Sequence, residues 1–130
     1  MQPHPQPPFL RDLVTGTTGA VAAIHVSPEG LVAGTSPGVA RDEADKWAAL
    51  MAALGSVSGR SLDIAGDLTS GGYPWGHSVV EDRHGQTLIL VGAPDHSMLA
   101  VVGAKDADLG AIVGRMIEIA DQGLPASVAA

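Results

Sequence analysis

Cysteine is missing from all 130 residues. That removes disulfides, thiolate nucleophiles and Cys-ligated zinc together. Aromatic side chains are scarce: one Phe, one Tyr and two Trp, with Tyr73 and Trp75 sharing the heptapeptide GGYPWGH. Positive charge is also thin. Seven Lys and Arg stand against fourteen Asp and Glu, for a net charge of -7, and the basic residues form no cluster. A nucleic-acid binder needs a basic patch to displace counterions from phosphates, so that class is excluded, and an anionic membrane surface is disfavoured for the same reason. No apolar run approaches the roughly 20 residues of a membrane span, so membrane insertion is not expected. The opening residues, MQPHPQPPFLRD, lack the basic-then-apolar order of a secretory signal. The expected address is cytoplasmic.

What is present is a chain 45% hydrophobic and 16% charged, of a length that forms one domain with a proper core. The acidic balance favours solubility and suits a basic partner surface. Pro3, Pro5, Pro7 and Pro8 forbid a helix, so residues 1–8 read as an extended, mobile tail. Residues 9–123 read as the domain and 124–130 as a second tail.

Within the domain, FLRDLVTG (9–16) reads as a short helix with Phe9, Leu10, Leu13 and Val14 on one side. Two apolar runs, Ala20 to Val26 and Leu31 to Thr35, flank Ser27-Pro28-Glu29-Gly30. Pro presets a turn angle and Gly supplies a positive φ, which predicts a β-hairpin. DEADKWAALMAALGSVSGRS (42–61) reads as a helix with Asp42 at its N-cap, fading at Gly55 to Gly59, and residues 60–74 read mainly as loop. WGHSVVED, QTLILVGA and SMLAVVGA follow as three strands with hairpin-length connectors, an antiparallel meander. The last two are apolar on both faces, as central strands covered on both sides are. DADLGAIVGRMIEIADQG closes the chain as a helix capped by Asp106, ended by Gly123-Leu124-Pro125, with Leu109, Ile112, Val113, Met116 and Ala120 as its buried stripe. The order α-β-β-α-β-β-β-α predicts an α+β domain: a five-stranded antiparallel sheet with helices on both faces.

Chemistry-bearing patterns are few. The five histidines, His4, His25, His77, His84 and His96, form no HxH, HxxxH or HExxH pair, so no metal site is signalled. GSVSGRS (55–61) fails as a phosphate loop, because its glycines follow a helix and no Lys is present. There is no GxSxG elbow. Asp63 and Asp67, or Glu81 and Asp82, read as solvated charges. No catalytic residue, metal or cofactor is expected. In GGYPWGH, Tyr73 and Trp75 are candidates for a partner contact, with Trp75 packing under the preceding loop as the alternative.

The 42–61 helix raises the sharpest question. At 100° per residue, Trp47, Leu50, Met51, Leu54 and Val57 make a stripe about 120° wide, which suits packing on the sheet. Ala48, Ala52, Gly55 and Gly59 make a second, smooth stripe. Small residues let two helix axes approach closely, so this stripe, or its edge with Met51, reads as a contact with the same helix of a second chain; simple exposure of an Ala-rich face is the alternative.

The same residues are similar to a known family. GAVAAIHVSPEGLVAGTS resembles the first hairpin of Roadblock/dynein-light-chain domains, DEADKWAALMAAL their long central helix, and HSVVEDRHGQTLILVGAPDHSMLAVVGAKDADLG the meander and last-helix start of actinobacterial members. The resemblance covers about residues 9–123. It implies a roadblock/longin-like (profilin-like) fold with sheet order 2-1-5-4-3, and a non-enzymatic homodimer. The central helices, here through Ala48, Met51, Ala52, Gly55 and Gly59, would lie side by side. The third strand, here carrying Trp75, His77 and Val79, would pair with its copy. The implied partners are a second copy, a small Ras-like GTPase that the dimer regulates, and a sensor-kinase-like protein; Arg41, Arg60 and Arg83 are the cations available in trans. A small-molecule sensor domain and a purely structural scaffold are the alternatives.

Overall fold

The computed structural model describes residues 2–124; Met1 and residues 125–130, including Pro125 and most of the expected C-terminal tail, lie outside the described residues. The elements run α1 (Pro8–Thr15), β1 (Ala20–Val26), β2 (Val32–Thr35), α2 (Arg41–Thr69), β3 (His77–Glu81), β4 (Thr87–Gly92), β5 (Met98–Gly103) and α3 (Leu109–Asp121). The five strands form one antiparallel sheet in the order β2-β1-β5-β4-β3, as expected from the resemblance.

Two cores sandwich that sheet. Alternation along each strand sends Ala23, Ile89, Val91, Leu99 and Val101 to one face, where Leu10 and Leu13 of α1 and Ile112, Met116 and Ala120 of α3 cover them. Ile24, Val26, Leu90 and Ala100 point to the other face, where Ala48 and Met51 of α2 cover them. Covering on both sides explains why β4 and β5 are apolar throughout. The β1–β2 turn is built as read: Gly30 takes φ 84°, its N–H donates to the Ser27 carbonyl, and the Ser27 N–H donates to that of Leu31.

Several boundaries differ from expectation. Pro8 opens α1 one residue early, at a helix start where its missing N–H is harmless. α2 starts at Arg41 after Ala40 rather than being capped by Asp42. Asp108, not Asp106, caps α3, its carboxylate accepting from the Ala111 N–H at 3.1 Å. The largest difference is in α2, which does not fade at Gly55 but continues to Thr69. Gly59 and Gly66 each disfavour a helix by only about 1 kcal/mol relative to Ala. The helix ends where Ser70 turns left-handed at φ 61° and returns its N–H to the Gly66 carbonyl.

The first residues are not a free tail. The Thr35 N–H donates to the Pro5 carbonyl at 2.9 Å. Arg41 donates to the Gln2 carbonyl at 2.8 Å, and His4 Nε2 meets Asp45 Oδ1 at 2.7 Å. Among the described residues no helix is long and apolar enough to cross a membrane.

Candidate interaction surface

Which face of α2 lies on the sheet is decided by volume. The sheet offers large side chains, Ile24, Val26, Leu90 and Met98, so the helix approaches through small ones. Ala44 and Ala48 are fully buried, and a Cβ on Gly55 would stand 2.9 Å from the Met98 sulfur. Ala52 is half-buried beside Gly30, and Gly59 faces Trp75. This corrects the reading of the two stripes. Ala48, Met51 and Gly55 are internal to one chain rather than an open flank for a second, and Met51 alone of the larger stripe is buried.

The uncovered stripe is the large one. Leu50, Val57, Ile64 and Leu68 are 65%, 61%, 63% and 81% exposed, and Leu54 is half-buried. With Ser61 these positions follow steps of four, three, four, three and four residues, within an arc of about 80° at 100° per residue. That is the spacing of a coiled-coil seam. It reads identically in both directions about Gly59, so an antiparallel copy meets it in register, Leu50 facing Leu68, Leu54 facing Ile64 and Val57 facing Ser61.

The helix also outruns its own sheet. Twenty-nine residues span about 43 Å, whereas five strands span roughly 24 Å. None of residues 56–70 is buried. The point of departure is pinned: the Trp75 indole N–H donates to Ser78 Oγ at 2.9 Å, and Ser78 Oγ donates to Ser58 Oγ at 2.8 Å, tying mid-α2 to β3. β3 is an edge strand, and its Val79 and Val80 are 40% and 47% exposed. Beside α2, on the same face, Val80, Leu88, Val102 and Ala22 form one row across β3, β4, β5 and β1 through their cross-strand pairings. The groove between that row and α2, about 390 Å³, is lined by Ala22, Leu88 and Val102 from the sheet and Trp47, Leu50 and Met51 from the helix. The Trp47 indole N–H is buried there without a partner among the described residues.

The expected strand residues divide. His77 and Val79 lie in β3, but Trp75 precedes it. Its ring packs on Gly55 and Gly92, where an added Cβ would come within 3.7 and 2.8 Å of ring carbons, so Trp75 takes the packing role rather than an open contact. Tyr73 is 90% exposed. Arg41 is engaged with the N-terminal segment. Sequence reasoning missed Ile64 and Leu68 because it ended the helix too early; their four-and-three spacing with Leu50, Leu54 and Val57 is the signal that finds them. Among the described residues no group of three or more His, Asp and Glu side chains is placed to hold a metal ion.

The sheet order, the helix covering and the free β3 edge define a class, the roadblock and profilin architecture. A Roadblock/LC7 domain from Streptomyces avermitilis superposes with a TM-score of 0.77 at 27% identity, over 88% of this chain and 92% of that one. A second Roadblock/LC7 domain structure from the same organism gives 0.67 at 25% identity, over 88% and 94%. Myxococcus xanthus MglB gives 0.69 at 16%, over 88% of each chain, a likeness of fold. No family model and no curated protein matches the chain. Within that class, the chain is similar in fold and in sequence to these Roadblock/LC7 domains.

Proposed function

We propose that the chain works as a twofold homodimer that binds a small Ras-like GTPase and regulates it without chemistry of its own. The observation that carries the dimer is the exposed α2 seam lying next to an open β3 edge. A twofold axis beside β3 pairs that strand with its copy through His77–Glu81. The same axis carries the overhanging half of each α2 over the partner's sheet, onto the row Val80, Leu88, Val102 and Ala22 and against the partner's seam. The palindromic seam centres on Gly59, one residue from the Ser58 that is tied to β3. Helix register and strand edge therefore ask for one axis. Burying Leu50, Val57, Ile64 and Leu68 twice over is worth on the order of 10 kcal/mol, comparable to the cost of association.

The GTPase reading rests on the likeness to Roadblock/LC7 domains and on the acidic surface, which suits a basic patch. Its mechanism is a population shift: the dimer favours one arrangement of the GTPase's switch loops, and the GTPase supplies the catalytic groups. Tyr73 and the exposed helix end beside it are the proposed contact. A sensor-kinase-like protein is a further proposed partner of the same dimer. Adding the dimer to its cognate GTPase is expected to change GTP hydrolysis or nucleotide exchange. Absence of both a complex and a rate change sinks the reading.

A further inference from the structure

Among the described residues, the β3 edge of the sheet is bare and the β2 edge is flanked by the chain's own first residues. Along β2, residues 2–7 run as a strap. It takes the Thr35 N–H on the Pro5 carbonyl, the Leu10 N–H on the Pro7 carbonyl and the Arg41 guanidinium on the Gln2 carbonyl. His4, its side chain only 11% exposed, reaches over to Asp45 on α2. The Pro7 ring sits where Gly34 has no side chain; a Cβ there would stand 2.8 Å from the ring. This is a fitted contact, with Gly34 buried beneath it.

The strap's composition matters as much as its position. An edge strand presents free N–H and C=O groups that template another strand. The strap accepts one of those N–H groups, and half of its residues, Pro3, Pro5 and Pro7, have no N–H with which to template a further strand. It therefore occupies the edge while bringing few N–H groups of its own, those of Gln2, His4 and Gln6. The consequence is geometric. A sheet that pairs through β3 with one copy and through β2 with another has two self-complementary edges, and two such edges generate an open-ended ribbon. With β2 covered, growth stops after one pairing.

We infer that residues 2–7 are a built-in guard that denies the β2 edge to a second copy of this chain. The guard acts at β2 whether or not β3 is paired, so its failure is separable from failure of the dimer. The test is sedimentation of the full chain against a variant lacking residues 2–7, over a range of concentrations. The full chain is expected to hold one mass; the shortened chain, folded by circular dichroism, is expected to reach at least twice that mass and to grow with concentration. A folded shortened chain that keeps the full chain's mass overturns the inference. Should the shortened chain fail to fold, Arg41→Ala with Asp45→Ala releases two anchors in the intact chain. Exchange at the Thr35 amide is then expected to quicken at least tenfold and the mass to rise, with the Ser36 amide, bonded inward to the Ala23 carbonyl, unchanged. Unchanged exchange at Thr35, or quickened exchange without a rise in mass, overturns it.

Discussion

His25 sits on β1 in a T-shaped contact with Phe9, its Nε2 buried and without a partner among the described residues. Burial pushes its pKa below the usual 6.5, and the charge of Asp95 pulls weakly the other way. The folded chain therefore binds fewer protons at this site than the unfolded chain. Stability is full above pH 6.5 and declines as the pH falls through the range where only the unfolded imidazole protonates. Thermal unfolding is expected to show a lower Tm at pH 5.5 than at pH 7.5, with the difference reduced in His25→Phe. Asp95, held below its ordinary 3.8 chiefly by the Ser97 hydroxyl, loses its stabilising contribution only as the pH falls from 3.8 downward, which leaves that window clear. Gly92 is a second residue-scale test. Its added Cβ would meet a rigid indole at 2.8 Å, so Gly92→Ala should destabilise by about 1–3 kcal/mol in denaturant unfolding and disturb Trp75 fluorescence. At Gly55 the obstacle is the flexible end of Met98, so Gly55→Ala should cost less.

At the scale of the element, α2 has two faces with opposite duties, and substitutions should separate them. Ala48 is buried under its own sheet, so Ala48→Leu overpacks the core and lowers stability by about 1–3 kcal/mol. Ile64 lies on the overhang and touches no core, so Ile64→Glu leaves the fold of the protomer intact while placing a charge in the seam. Analytical ultracentrifugation should show Ile64→Glu shifted to half the mass at micromolar concentration. A dimer that survives both Ile64→Glu and Leu68→Glu removes the seam from the interface.

For the whole molecule, the proposed dimer requires strand edge and helix seam to share one axis. Val79→Pro in β3 removes a ladder donor and obstructs pairing with a copy, so it should weaken the same dimer that Ile64→Glu weakens. If the two lesions act on different assemblies, the single-axis arrangement is wrong. A GTPase that reads the dimer should lose its response to both variants together.

Element order was legible from residues alone. The Ser-Pro-Glu-Gly turn between two apolar runs, the doubly apolar β4 and β5 and the periodicity of α3 each carry their own local signal. The sheet order came with the family resemblance, since cross-strand neighbours leave no trace in one chain's periodicity. The faces of α2 were not legible. A helical wheel separates small from large residues but does not say which side meets the sheet, because apolar area favours the large side and close approach favours the small one. The sheet's own bulk at Leu90 and Met98 decides in favour of Ala48 and Gly55. Nor does composition reveal that a Pro-rich opening is docked: the prolines keep residues 2–7 out of a helix, but only the folded β2 edge supplies the Thr35 N–H that holds the segment down.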